Sequence, residues 1–296
     1  MCLNKGGFVI DLHMHTKYSD GQYEVKDLLN ILNEKGIKYA SITDHNSIGA
    51  HIEMRDNNLY SLYNGKMITG VEIQTLVDDY LIEVLVYNFD IDKFNKYIEN
   101  TRKTFWEFHN NAYKELLKKA DSLGLKYIEP DRELTNGYYC NMKFQEAIAS
   151  CLDYNKNIID EKILTDHLYF YRNEFQRVGS DFYVDNKKAF PTLEDVVKNA
   201  REAGGMIFIA HIDEYQAIPN KIEFLEDVFS RYNLDGIECF HPAIDVENRS
   251  TYVEFCSIHN LLVSAGSDFH GSHLSHRKNI TTEATLNDIG WLESLK

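Results

Sequence analysis

The sequence predicts an α/β fold built on a parallel sheet, either open or closed into a barrel. Three observations predict it. Short apolar, β-rich runs recur along the 296 residues. Segments with the apolar spacing of amphipathic helices lie between several of these runs. Five of the runs end in histidine or an acid, and in a barrel of alternating strands and helices all such ends open on one face.

The strand candidates are, in order, FVIDLH (8–13), YASITDH (39–45), MITGVEI (67–73), YLIEVLVYNF (80–89), MIFIAH (206–211), DGIECFH (235–241) and LLVSAGSDFH (261–270). VKDLLNILNEKG reads as a helix before the second strand, LEDVVKNAREAGG before the fifth and NRSTYVEFCSIHN before the seventh. More than 110 residues separate the fourth and fifth strands, too many for a connection, and they carry the helical patterns NTRKTFWEFHNNAYKELLKKADSLG and MKFQEAIASCL. Residues 1–99 with 189–296 are therefore expected to form the strand-bearing domain, and residues 100–188 an inserted helical subdomain serving as a cap.

Apolar residues make up 44% of the chain, enough for a sizeable core. No apolar run reaches the length of a membrane span, and the N-terminus lacks the pattern of a signal peptide, so a cytoplasmic protein without membrane contact is expected. The five cysteines form no CxxC pair and read as reduced thiols. A net charge of −15 argues against an extended nucleic-acid surface, which needs a basic stripe. It leaves room for a small phosphorylated substrate, because a bound divalent ion is itself a strong local positive charge.

His13 and His15 in DLHMHT follow an apolar strand, and their two-residue spacing sends both rings to one side of an extended backbone. Asp20 lies in the same loop. Asp44 and His45 in ITDHN, Glu72 in TGVEI, His211 in FIAH, and Asp268 with His270 in GSDFH end other strands. Imidazole with carboxylate and no thiolate suits Zn²⁺, Mn²⁺ or Fe²⁺. A water held between two such ions loses a proton readily enough to serve as nucleophile. GxSxG, GxxxxGK[ST] and GxGxxG motifs do not occur. His241 in IECFHP is placed to orient a phosphate or protonate a leaving oxygen. Arg277, close behind the last motif, is a candidate bidentate contact to a substrate anion. His51, His109, His167 and His259 lack convergent partners and read as surface or structural residues.

The motifs DLHMHTKYSDG, TDHN, GVEI, AH and GSDFHG, in that order, resemble the PHP (polymerase and histidinol phosphatase) family over residues 8–100 and 190–285. The resemblance implies a distorted (β/α)7 barrel, TIM-like, with up to three divalent metal ions. By motif, His13, His15, Glu72 and Asp268 would hold one ion, and Asp20, His45 and His270 another. Glu72 would bridge to a third, completed by His211 and a residue of the fourth strand. There the family usually has histidine, whereas this chain has Glu83 in IEVLVYNFD. His241 and Asp268 are the candidate catalytic residues.

The insertion and the segment after it resemble a stand-alone branch that includes nucleotide 3′,5′-bisphosphate phosphatases and 5′-end exoribonucleases. In that branch the insertion offers basic groups to a substrate phosphate; Lys143, Arg172 and Arg177 are the candidates here, while the usual basic residue near Asn141 is absent. The implied function is hydrolysis of a phosphate monoester or terminal phosphodiester, of a nucleotide or short RNA end, by a hydroxide bridging two or three ions of Mn, Fe or Zn. A histidinol-phosphate phosphatase and a non-catalytic metal-binding regulatory module are the alternatives.

Overall fold

The computed structural model describes residues 10–272, 279–280 and 282–295. The seven strands are β1 (Ile10–Asp11), β2 (Tyr39–Ile42), β3 (Lys66–Val77), β4 (Tyr80–Tyr87), β5 (Met206–Ile209), β6 (Gly236–Phe240) and β7 (Leu262–Ala265), and they pair in chain order. The residues just after β1 meet those of β7: Leu12 N–H donates to Ala265 O at 2.9 Å, and Met14 bridges Phe269 in parallel. Those contacts join the first strand region to the last, as barrel closure requires.

The helices are α1 (Val25–Lys35), α2 (Gly49–Asp56), α3 (Ile91–Ser122), α4 (Cys140–Ala149), α5 (Leu152–Asn155), α6 (Glu161–Thr165), α7 (His167–Phe170), α8 (Leu193–Glu202), α9 (Lys221–Arg231) and α10 (Val246–His259). The sequence periodicity explains the long ones. Helix α1 buries Val25, Leu28, Leu29 and Leu32, a single stripe at helical spacing, and stops at Gly36, whose φ of +71° suits glycine. Helix α8 opens on Thr192, whose hydroxyl accepts from Asp195 N–H, and buries Leu193, Val196 and Ala200. With α9 and α10 it covers the face of the sheet that carries Val71, Ile73, Ile82, Val84, Val86, Ile207, Ile209 and Ile237.

One strand departs from the parallel expectation. β4 runs antiparallel to both β3 and β5. Val77 pairs with Tyr80, so two residues, Asp78 and Asp79, turn the chain, and no crossover helix separates β3 from β4. Asp78 takes φ 52°, and Arg231 holds its carboxylate with two hydrogen bonds of 2.8 and 3.1 Å. On β4, Glu83, Leu85 and Tyr87 share the face opposite Ile82, Val84 and Val86. Leu85 and Tyr87 pack with Phe208 and Trp291.

Two compact units result, one comprising residues up to Asn100 together with those from Pro191 onward, the other Thr101–Phe190. The second unit has its own core, in which Phe144, Phe170 and Phe182 pack ring against ring with Leu116 and Phe175. Among the described residues no helix is long and apolar enough to cross a membrane. Cys140, Cys239 and Cys256 are buried and unbonded.

Candidate metal centre

His13 and His15 leave β1 on the same side, and their rings stand 5.2 Å apart. β3 supplies Glu72 from mid-strand; His45 follows β2 and pairs with Glu72 as an isolated bridge. His211 follows β5, and Asp268 and His270 follow β7. His211 and Asp268 both adopt positive φ, 20° and 52°; the left-handed region is readily entered by Asp, so the costlier of the two is His211. Glu83 reaches the cluster because β4 is reversed: the side chain comes from the first half of its strand, not from its C-terminal end.

The ligand atoms converge. Those of His13, His15, Glu72 and Asp268 lie within 4.8 Å of one another, as do those of His15, Asp20, His45 and His270, and those of His45, Glu72 and Glu83. His211 Nε2 is 2.8 Å from Glu72 Oε1 and 3.3 Å from Glu83 Oε2. His13, His15, Glu72 and Asp268 are buried, whereas Asp20 is 39% exposed and His45 22%, so the Asp20 side of the cluster faces water.

Hydrogen bonds set which nitrogen each ring presents. His270 Nδ1–H donates to Asp268 O at 2.8 Å, leaving Nε2 for the cluster. Ser19 gives its proton to Asp44 at 2.6 Å and can accept from His15 Nδ1 at 3.3 Å, which again leaves Nε2 inward. His15 Nε2, His45 Nδ1 and His270 Nε2 are buried and make no hydrogen bond among the described residues. Yet His15 Nε2 lies 3.1 Å from Asp268 Oδ1, and His45 Nδ1 3.1 Å from Glu72 Oε2. Bare imidazole nitrogens crowded against carboxylates fit shared divalent cations, so the residues present match the group.

Charge distribution agrees. Burial opposes protonation of His15, but Asp268 and Glu72 overcome it and push the pKa to about 10; His211, buried beside Glu72 and Glu83, rises to about 9. Burial also disfavours the charged forms of Glu72 and Asp268, and the surrounding histidines hold both well below the usual carboxylate range. Glu83 moves the other way, raised by burial and then by the charge of Glu72. A cation is what such an acidic cluster lacks.

Asp44 is not aimed at the cluster. Its carboxylate accepts from Thr16 N–H, Thr16 hydroxyl and Ser19 hydroxyl at 2.6–2.7 Å, and so shapes the loop that carries Asp20. His51 is a buried structural residue whose Nε2 sits between Ile42 O and Gly70 N–H. Lys143, Arg172 and Arg177 all belong to the second unit. Lys143 donates to Arg132 O at 2.6 Å, and Arg177 donates to Asn173 O and approaches Glu174, so both make local contacts. Arg172 is exposed in the π turn Tyr171–Phe175. Arg277 lies outside the described residues. Sequence reasoning missed two buried acids. Asp11 ties His13 N–H to the backbone and hydroxyl of Ser267, and Glu238 touches His13 and His211. Each was visible as a charged residue inside an apolar strand, DLH and GIECF.

The PHP domain family matches residues 11–239. The chain belongs to the PHP domain family. As a PHP phosphoesterase it is a metal-dependent hydrolase of phosphoric esters. A 5′-3′ exoribonuclease, Rnm, of Escherichia coli is 24% identical over 277 residues, covering 88% of this chain and 85% of that protein. A 3′,5′-nucleoside bisphosphate phosphatase of Chromobacterium violaceum is 23% identical over 279 residues, covering 88% and 87%. A phosphoribosyl 1,2-cyclic phosphate 1,2-diphosphodiesterase of Eggerthella lenta is 22% identical over 265 residues, covering 88% and 94%. Among solved structures, an amidohydrolase from Chromobacterium violaceum superimposes with a TM-score of 0.64 at 20% identity, covering 96% of this chain and 94% of that one.

Proposed function

We propose that this PHP domain hydrolyses a phosphate monoester or terminal phosphodiester of a nucleotide-like substrate, using two or three divalent ions of the Mn, Fe or Zn class. The observation that carries the reading is the set of buried ring nitrogens of His15, His45 and His270, bare of hydrogen bonds and turned toward Glu72, Asp20 and Asp268. His13, His15, Glu72 and Asp268 would hold one ion, Asp20, His45 and His270 a second, and Glu72, Glu83 and His211 a third. When bound, the ions supply Lewis acidity toward the phosphoryl group and make a water acidic enough to attack it.

His241 takes the acid's part. Its Nδ1 accepts the Ala243 N–H at 3.1 Å, so the neutral ring carries its proton on Nε2, buried 3.5 Å from Asp268 Oδ2. That nitrogen is a donor to a leaving oxygen, not a ligand. Asp268 orients it while serving the metal. A small phosphorylated compound is the expected partner. Five cysteines without a CxxC pair fit a reducing compartment, and the cytoplasm is the compartment expected.

Phosphate release from metal-reconstituted protein, across nucleoside 3′,5′-bisphosphates, 5′-phosphorylated short RNAs, histidinol phosphate and sugar phosphates, tests the reading. The nucleotides are expected to be turned over fastest. Preference for histidinol phosphate would replace the substrate assignment, and no turnover of any by metal-loaded protein would make the domain a non-catalytic metal binder.

A further inference from the structure

Glu238 ends no strand. It stands in the middle of β6, in GIECF, with its side chain fully buried. A carboxylate in such a place persists only where donors satisfy it. Two do so. Oε1 lies 3.0 Å from His13 Nδ1, and Oε2 accepts the His211 N–H at 3.0 Å. His13 follows β1 and His211 follows β5, so a single carboxylate ties together candidate ligands from two separate strands.

We propose that Glu238 is the positioning residue of this metal centre, fixing the tautomer of His13 and the backbone of His211 at once. The inference rests on reading the cluster as a metal centre. With its Nδ1 proton given to Glu238, the His13 ring presents Nε2 to Glu72 Oε2 at 3.1 Å and to Asp268 Oδ1 at 3.4 Å. The opposite tautomer would turn an N–H toward the cation instead. At His211 the bond to Oε2 restrains an amide whose residue has φ 20°, a conformation that needs external support. Gly266 makes room for the arrangement. A Cβ there would lie 2.0 Å from His13 Cβ and 2.7 Å from Glu238 Oε1.

A role as direct ligand fits less well. The ligand atoms of His13, Glu238 and His241 do group within 4.8 Å, but both Glu238 oxygens are already engaged and His241 Nδ1 accepts from Ala243. A carboxylate that takes the second N–H of a ligating histidine typically changes metal affinity roughly 10–100-fold when removed.

Glu238→Gln keeps the shape but replaces one acceptor by an amide donor, so it can satisfy His13 or His211 and not both. The expected result is a folded protein by circular dichroism whose Zn²⁺ affinity falls roughly 10–100-fold. In Zn²⁺-loaded protein with isotope-labelled histidine nitrogens, the slowly exchanging Nδ1 proton of His13, identified by its loss in His13→Gln, should vanish in this variant if the amide NH2 faces His13, and the His211 amide should lose its protection from exchange if it faces His211. Glu238→Asp keeps two acceptors on a shorter arm and should recover part of the affinity. If the Gln variant does not fold, the wild-type spectrum decides: a Zn²⁺-loaded His13 with no Nδ1 proton overturns the proposal. Unchanged affinity together with an unchanged Nδ1 signal in Glu238→Gln overturns it as well, while leaving the metal centre standing. Wild-type protein that binds no Zn²⁺ would instead overturn the metal reading on which it rests.

Discussion

Replacing Gly266 by alanine adds one carbon at a tight point beside the cluster. That carbon would stand 2.0 Å from His13 Cβ and 2.8 Å from His13 N, about 1.4 Å short of ordinary contact with the nearer atom. Neither neighbour is the free end of a flexible side chain. His13 is fully buried, its ring held by Glu238 and its N–H by Asp11. Overpacking of a close-packed interior costs about 1–3 kcal/mol, and a backbone-proximal clash with so little slack belongs at the upper end. For a chain of 296 residues about 3 kcal/mol lowers the melting temperature by roughly 5 °C. Relief by displacement of His13 would appear as lost metal. The assay is differential scanning calorimetry of metal-free protein alongside metal content after reconstitution. A variant melting within about 2 °C of wild type and binding its full complement of metal would refute the packing argument.

Glu83→Gln should lower occupancy of the third ion with the other ions retained, and Glu83→His should shift preference toward Zn²⁺; metal analysis after titration with Mn²⁺, Fe²⁺ and Zn²⁺ checks both. His241→Gln should reduce turnover roughly 100- to 10,000-fold with metal content unchanged, measured by phosphate release at saturating metal. Loading metal at pH 7 should release protons, because His15 at about 10 and His211 at about 9 are protonated in the metal-free protein, and calorimetry in buffers of different ionisation heat reads this directly. For the metal-free protein, raised imidazole values add stability that is complete below the ordinary imidazole value of 6.5 and fades as pH climbs through 9 and 10. A metal-free melting temperature that rises over that interval would contradict the charge arrangement.

Most of the cluster was readable because its residues sit beside strand signals: an apolar run followed by HMH, TDH or SDFH announces both the element and the direction in which the ring leaves it. The family resemblance then grouped the ligands. Three things were hidden. The role of Asp44, which ends the ITD run beside His45, is one: Thr16 and Ser19 occupy its oxygens, and only tertiary structure brings that loop against it. The reversal of β4 was missed because the third strand was ended at Ile73. In fact it continues through QTLV to Val77, and the turn Asp78–Asp79 lacks the glycine that usually marks a two-residue hairpin. Glu238 escaped for a simpler reason: an acid inside an apolar strand has no periodic signature, and its donors come from β1 and β5, far away in sequence.

The short β3–β4 turn also makes the two carboxylates of the third site hostage to chain length. Gln74 pairs with Glu83 and Glu72 with Leu85, and a slip of one residue would turn Ile73 or Val84 inward in place of an acid. Surface turns ordinarily absorb insertions and deletions freely. This one has no spare residue between Val77 and Tyr80, and Arg231 grips Asp78 from outside. Its first residue, Asp78, lies six residues beyond Glu72, roughly 20 Å along the strand. A single-codon insertion there, invisible to any survey confined to the cluster, would disable the proposed third ion site from a distance while leaving every candidate ligand in the sequence.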